Sequence, residues 1–272
     1  MAEALPQTEL AGLIPAAARA VLPSAVVDVV PLEGGRGINQ CLRIDGADGS
    51  ASVLRLRRGP ALAGADPRRE LASQRIAAAA GLAPRVLAAD AAAGWTLMAH
   101  VPALPWTVDR LKQSDDLWRL CARLRSLHGL VKPPVAPIDG LALLRTHCEV
   151  LAPHAPAEAR ERLEEGGEIA ARLGELPRRR TALCHGDPDV SNFLGEGPML
   201  IDFEYAQVAD PTYDIALLIG YYPFLEPQQD TLLAAAGLGD PLSQRRLPLQ
   251  VALCRVVDAA WARVQTLLTA LD

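Results

Sequence analysis

Residues 183–206 read LCHGDPDVSNFLGEGPMLIDFEYA. In a chain of 272 residues that is 50% hydrophobic, this stretch gathers His185, Asp187, Asp189, Asn192, Asp202 and Glu204. The order is His185-Gly186-Asp187, four residues, Asn192, then Asp202 at the end of the apolar run PMLID, and Asp214 twelve residues on. Phosphoryl transfer calls for these residue types in this order. One carboxylate orients an acceptor hydroxyl and takes its proton. An amide oxygen and a second carboxylate hold Mg²⁺ against nucleotide phosphates. All are hard oxygen donors, so no cysteine is needed. Loop residues between two strands can converge on one point, which accounts for the clustering.

Working outward, the pattern predicts a small sheet-rich lobe before this stretch and helices around it. AVVDVVPLE (25–33), INQCLRID (38–45) and ASVLRLRR (51–58) are β-rich runs separated by GGRG and GADG turns. Residues 66–82 read as a helix with Asp66 as N-cap, Pro67 at its first position and Gly81 at its stop. PRVLAAD and GWTLMAHV then add two strands, so the first hundred residues read β-β-β-α-β-β. HVPALPW has two prolines in five residues and reads as a hinge. Beyond it, Leu117, Leu120, Leu124 and Leu127 recur at helical spacing. Residues 139–173 predict two more helices, 180–203 a pair of strands flanking the motif, and the rest helix. Short helices broken at Pro15 are expected over residues 8–22. The expected fold is α+β and bilobal: residues 1–101 as a nucleotide-binding lobe, 102–106 as hinge, and 107–272 as a helical lobe with a catalytic β-hairpin.

H-G-D-x-x-x-x-N followed by I-D-F-E resembles the aminoglycoside phosphotransferase and choline kinase superfamily, the small-molecule relatives of protein kinases. The resemblance covers nearly the whole chain, because the first lobe has the same order of elements. It implies ATP and Mg²⁺ as cofactors and a small-molecule alcohol as acceptor. It makes Asp187 the catalytic base and Asn192 and Asp202 the metal ligands. His185 and Asp214 are expected to brace the loop, and His128, at the close of SLHGL, is expected to be structural.

The nucleotide side departs from the common pattern. The only lysines are Lys112 and Lys132, both after the hinge. By alternation, Arg55 takes the place of the strand lysine, with Arg57 as rival on the same face. An arginine can grip phosphate bidentately. Glu70 is its expected ion-pair partner. GGRGINQ lacks G-x-G-x-x-G, but its position between the first two strands makes it the expected phosphate turn, with Gly35 and Gly37 letting backbone N–H groups approach oxygens. Asn39 matches an asparagine that follows this loop in choline kinase-like members. The backbone from Ala99 to Val101 is expected to face the adenine.

For the acceptor, Glu204 is the informative residue. Aminoglycoside-modifying members usually carry Gly two positions after the metal aspartate, whereas DFEYA resembles choline, ethanolamine and thiamine kinases. Glu204 is a candidate further metal ligand or a support for one. Seven of the eleven aromatic residues lie between Phe193 and Phe224, including all four tyrosines. Aromatic faces suit a quaternary or heteroaromatic cation. Choline kinases carry acidic and aromatic residues shortly after the aspartate matching Asp214. Here that stretch is IALLIGYYPF, which offers Tyr221 and Tyr222 but no acid. Asp189 is a further acceptor candidate. Cys254, Val257, Trp261, Val264 and Leu268 form a helical stripe that reads as core, with Trp261 a candidate on the acceptor side. Five acids and four arginines from Pro223 onward give little negative excess for a polycationic aminoglycoside. An aminoglycoside acceptor, a nucleotide-binding regulator without turnover, and a hydrolase using His185, Asp187 and Asp202 as metal ligands are the alternatives.

Composition sets the remaining bounds. A net charge of -5 gives no reason to expect nucleic acid or an anionic membrane as partner. The five cysteines are odd in number, widely spaced and without C-x-x-C, as in reduced thiols. With no basic leader and no apolar run near 18 residues, a cytoplasmic monomer or homodimer is expected.

Overall fold

The structure, a computed structural model, describes residues 6–32, 39–57 and 65–271, with side chains in the last helix described to Leu267. It is α+β and bilobal. The first lobe is an antiparallel sheet of β1 (Val26–Pro31), β2 (Asn39–Gly46), β3 (Ala51–Arg57), β4 (Val86–Asp90) and β5 (Trp95–Ala99), in the order β1-β2-β3-β5-β4. Alternation sorts its two faces. Leu42, Ile44, Leu54 and Leu97 turn to one side and meet Leu10, Ile14 and Ala18 of two short helices, α1 (Gln7–Gly12) and α2 (Ala16–Arg19). Helices this short are held by packing rather than by propensity. Cys41, Arg55 and Arg57 occupy the alternate positions of β2 and β3, so they fall on the face towards α3 (Pro67–Ala79). Asp66 caps α3 by accepting from the Arg68 and Arg69 N–H groups at 2.9 and 3.4 Å, and Gly81 turns the chain out with φ +70°.

The second lobe holds α4 (Ser114–His128), α5 (Gly140–Leu151), α6 (Pro156–Gly174), α7 (Thr212–Tyr221), α8 (Gln229–Ala235) and α9 (Pro241–Leu271). The predicted leucines Leu117, Leu120, Leu124 and Leu127 are all buried in one core with Phe193, Phe203 and the apolar face of α7. Among the described residues, no helix is long and apolar enough to cross a membrane.

The strands around the motif differ from the expected single pair. β6 (Ala182–Cys184) pairs not across the motif but with β9 (Gln207–Ala209), beyond the expected window. A second hairpin, β7 (Phe193–Leu194) and β8 (Met199–Leu200), sits between Asn192 and Asp202. β8 therefore stops two residues short of Asp202, which bends the chain out with φ +60°. Aspartate is among the few residues that tolerate this left-handed region, and the bend turns its side chain away from the strand alternation. The segment between the lobes is stitched to this hairpin. Pro105 bridges Leu194, the Trp106 N–H donates to the Phe193 carbonyl at 2.8 Å, and Trp106 Nε1 donates to the Gly195 carbonyl at 2.6 Å.

Candidate active site

The loop between β6 and β7 is held from beneath by one buried carboxylate. Asp214, in the first turn of α7, accepts the His185 and Gly186 backbone N–H groups, each at 2.9 Å, and contacts His128 Nε2 at 2.8 Å. It is fully buried. Burial opposes its charge, yet the His128 hydrogen bond and charge, with the Gly186 N–H, hold its pKa below the usual carboxylate range. His185 is also fully buried, and its Nε2 lies 2.9 Å from the Ile201 carbonyl. The Ile201 N–H in turn donates to the Asn192 carbonyl at 3.0 Å. His185 thus ties the Asp187 loop to the Asp202 turn.

On this platform Asp187 and Asn192 meet. Asn192 Nδ2 donates to both the Asp187 carbonyl and its Oδ2 at 3.0 Å. That orientation commits the amide nitrogen to Asp187 and leaves Oδ1 as the face able to bind a cation. The Tyr221 hydroxyl favours the charged form of the Asp187 carboxylate. Burial raises the Asp187 pKa; the His185 ring opposes this and the Asp202 charge adds to it.

A second cluster faces Asp202 from the sheet. Arg55 forms an ion pair with Glu70, and its Nη2 lies 3.0 Å from Asp202 Oδ1 and 2.8 Å from Glu204 Oε2. Arg57 reaches the other Glu70 oxygen at 3.0 Å. Both arginines therefore share Glu70, but only Arg55 spans from the helix to Asp202. Burial works against the charge of Arg55, but Asp202, Glu70 and Glu204 outweigh it and raise its pKa. Asn39 Nδ2 donates to Glu204 Oε2 at 2.8 Å. Burial, and then the Asp202 charge, push the Glu204 carboxyl up to about 7. Asp202 and Glu204 both accept from Arg55 Nη2, and the residues expected to hold the metal, Asn192, Asp202 and Glu204, offer oxygen donors only. Those donors fit Mg²⁺ better than a soft metal.

The remaining expected residues divide. Gly35 and Gly37 lie outside the described residues. The Ala99 N–H is spent on the Arg85 carbonyl at 2.9 Å, and the Val101 carbonyl accepts from the Ala103 N–H at 2.8 Å. Two acceptor candidates, Asp189 and Tyr222, are hydrogen-bonded to each other. Asp189 uses one oxygen on Ser191 N–H and Oγ and the other on the Tyr222 hydroxyl at 2.8 Å. Tyr222 also accepts the Val190 N–H at 3.2 Å. The two polar groups satisfy each other and brace the loop. Trp261 is half-buried and packs against the cluster of Leu144, Cys148, Val257 and Val264, and its ring meets Tyr205 edge-on at 6.1 Å and His147 at 5.3 Å. Leu268 lies beyond the described side chains.

Two residues that the sequence reading passed over also stand here. Tyr205 packs its backbone against Gly186 and its ring against Trp261. Asp258, one turn before Trp261 on α9, is half-buried and feels the charge of Asp187. Its only sequence signal was an acid interrupting the apolar stripe beside Val257.

A model of the phosphotransferase enzyme family matches residues 28–249. The chain belongs to that family. Solved structures agree with this fold. A choline/ethanolamine kinase family protein from Mesorhizobium loti is 25% identical, with a TM-score of 0.72 over 95% of this chain and 84% of that one. Choline kinase LicA from Streptococcus pneumoniae is 18% identical, with a TM-score of 0.74 over 89% and 86%. A type I macrolide 2'-phosphotransferase is 17% identical, with a TM-score of 0.62 over 95% and 92%. A search of curated protein sequences finds no significant match. Within the phosphotransferase family, the segment that carries the motif here is the segment where the structure brings Asp187, Asn192 and Asp202 together around one loop.

Proposed function

We propose that this phosphotransferase moves the γ-phosphoryl group of ATP to the hydroxyl of a small amino alcohol of the choline, ethanolamine or thiamine kind. One observation carries the reading: Asp187, held by Tyr221 and Asn192, lies beside the all-oxygen set of Asn192, Asp202 and Glu204, which Arg55 links to Glu70. A structure of LicA in complex with AMP shares the fold, which supports use of a nucleotide.

In this reading Asp187 orients the acceptor hydroxyl and receives its proton as the phosphoryl group is transferred. Its raised pKa favours accepting that proton. Asn192 and Asp202, with Glu204 beside them, would hold Mg²⁺, which neutralises phosphate charge when bound. Arg55 would grip phosphate oxygens with its planar fork, and Glu70 would position it. Glu204, in place of the glycine usual in aminoglycoside-modifying members, supports the amino-alcohol reading over an aminoglycoside acceptor.

The test is product formation. The protein is incubated with ATP and Mg²⁺ and a panel of choline, ethanolamine, thiamine and aminoglycosides, and products are read by mass spectrometry. A phosphate ester of a small amino alcohol is expected. Phosphorylation of aminoglycosides alone would replace the acceptor. Nucleotide binding with no product from any acceptor would favour a regulator.

A further inference from the structure

On the acceptor side of Asp187 the structure leaves one carboxylate without a partner. Asp258 is half-buried on α9, yet among the described residues it makes no hydrogen bond and no ion pair. The groups that face it are Asp187 from the loop, Tyr213 and Tyr221 from α7, and Cys254 from its own helix. None of these is a cation. A first side-chain carbon on Gly220 would stand 3.7 Å from Asp258 Oδ2, so that carboxylate lies over the last turn of α7. Trp261, one turn further along α9, reaches Tyr205, whose hydroxyl is buried without a hydrogen-bond partner. Tyr221 completes the path back to Asp187.

A carboxylate partly withdrawn from water is unfavourable unless it is neutral, paired or ligated. Here it sits against a second carboxylate among aromatic rings. That combination of uncompensated negative charge and aromatic faces suits a small organic cation.

We propose that Asp258 is the specificity-determining residue for the acceptor: it holds the cationic nitrogen of an amino alcohol whose hydroxyl is presented to Asp187. The inference rests on the amino-alcohol reading above and deepens it. In the absence of such a cation, burial and the Asp187 charge push the Asp258 carboxyl up to about 7, so the site holds a proton where the substrate would bring a charge. Bound cation and bound proton are alternatives, so binding of the acceptor should release a proton near neutral pH.

The test compares choline with its neutral carbon isostere, 3,3-dimethylbutan-1-ol, in wild type and in Asp258→Asn. Steady-state turnover and calorimetric binding in the presence of ADP and Mg²⁺ are both read. Wild type should prefer the cation, and Asp258→Asn should raise the choline KM and Kd by about 10- to 100-fold, the range for losing a charge-assisted contact. The KM for ATP should stay unchanged, which shows that the variant is folded. The preference over the isostere should fall to the same extent. Unchanged choline affinity and preference in Asp258→Asn would overturn the role of Asp258 and leave the amino-alcohol reading intact. Turnover of neutral alcohols but of neither choline, ethanolamine nor thiamine by wild type would overturn that reading, and this inference with it.

Discussion

Gly186 stands between the two halves of the site, and adding one methyl there should separate them. Its φ is +76°, a conformation that costs an L-residue about 1–2 kcal/mol. The added Cβ would stand 2.1 Å from the Tyr205 carbonyl oxygen and 2.7 Å from its carbon. An ordinary C···O approach is about 3.3 Å, so the backbones must part by roughly 1 Å. Neither side yields easily. The Gly186 N–H is anchored on Asp214, and Asp187 follows directly. Tyr205 follows Glu204, which is tied to Arg55 and Asn39. Overpacking of this kind adds about 1–3 kcal/mol. Gly186→Ala should therefore cost about 2–5 kcal/mol and lower Tm by roughly 5–20 °C. A displacement near 1 Å between Asp187 and Asp202 should also cut kcat about 100-fold in protein that remains folded. Thermal melting and turnover well below Tm check both effects. Gly167→Ala is the control, because its added carbon meets nothing within 4 Å on α6. Wild-type melting and turnover in Gly186→Ala would refute this reasoning.

Arg55→Lys should weaken Mg²⁺-ATP binding at least 10-fold, because one ammonium cannot serve Glu70, Asp202 and Glu204 together; in equilibrium titrations the Arg55→Ala/Glu70→Ala double variant should lose less than the sum of the singles. ATP should raise Tm only with Mg²⁺ present, by about 2.7 kcal/mol of stabilisation at 100 times Kd, since three carboxylates already crowd Arg55; equal shifts without Mg²⁺ would count against this donor set. The Asp258 carboxyl keeps its proton to about pH 7 when folded but loses it near its ordinary value of 3.8 when unfolded. Between those values the folded state binds more protons, so this residue makes stability fall as pH rises. Asp258→Asn should abolish that loss and be more stable than wild type at pH 8, by up to about 4 kcal/mol, in urea titrations at pH 5 and pH 8.

Much of this arrangement could be read from local pattern. The alternation in VLRLR placed Arg55 opposite Leu54 and Leu56, and Asp66, Pro67 and Gly81 marked the ends of α3. The spacing of His185, Asp187, Asn192 and Asp202 lies within one segment, so its convergence needs only one loop and one hairpin. What escaped notice depends on contacts between distant segments. β9 is three residues long and carries no periodicity, so its pairing with β6 could not be seen. Asp189 and Tyr222 look equally available in the sequence, and only the fold shows that each consumes the other. Asp258 belongs to a helix whose dominant signal is an apolar stripe, and its nearness to Asp187 arises from the packing of α7 on α9.

The most direct test of the account is Asp187→Asn. Asparagine keeps the shape of the side chain and its contact with Asn192 but cannot take the acceptor proton. Turnover of the acceptor identified in the product assay should fall by about 10²–10⁴-fold, the range for losing a general base, while the Kd for Mg²⁺-ATP changes less than about threefold. Activity near wild type in Asp187→Asn, with the nucleotide still bound, would contradict the assignment of Asp187 as the base.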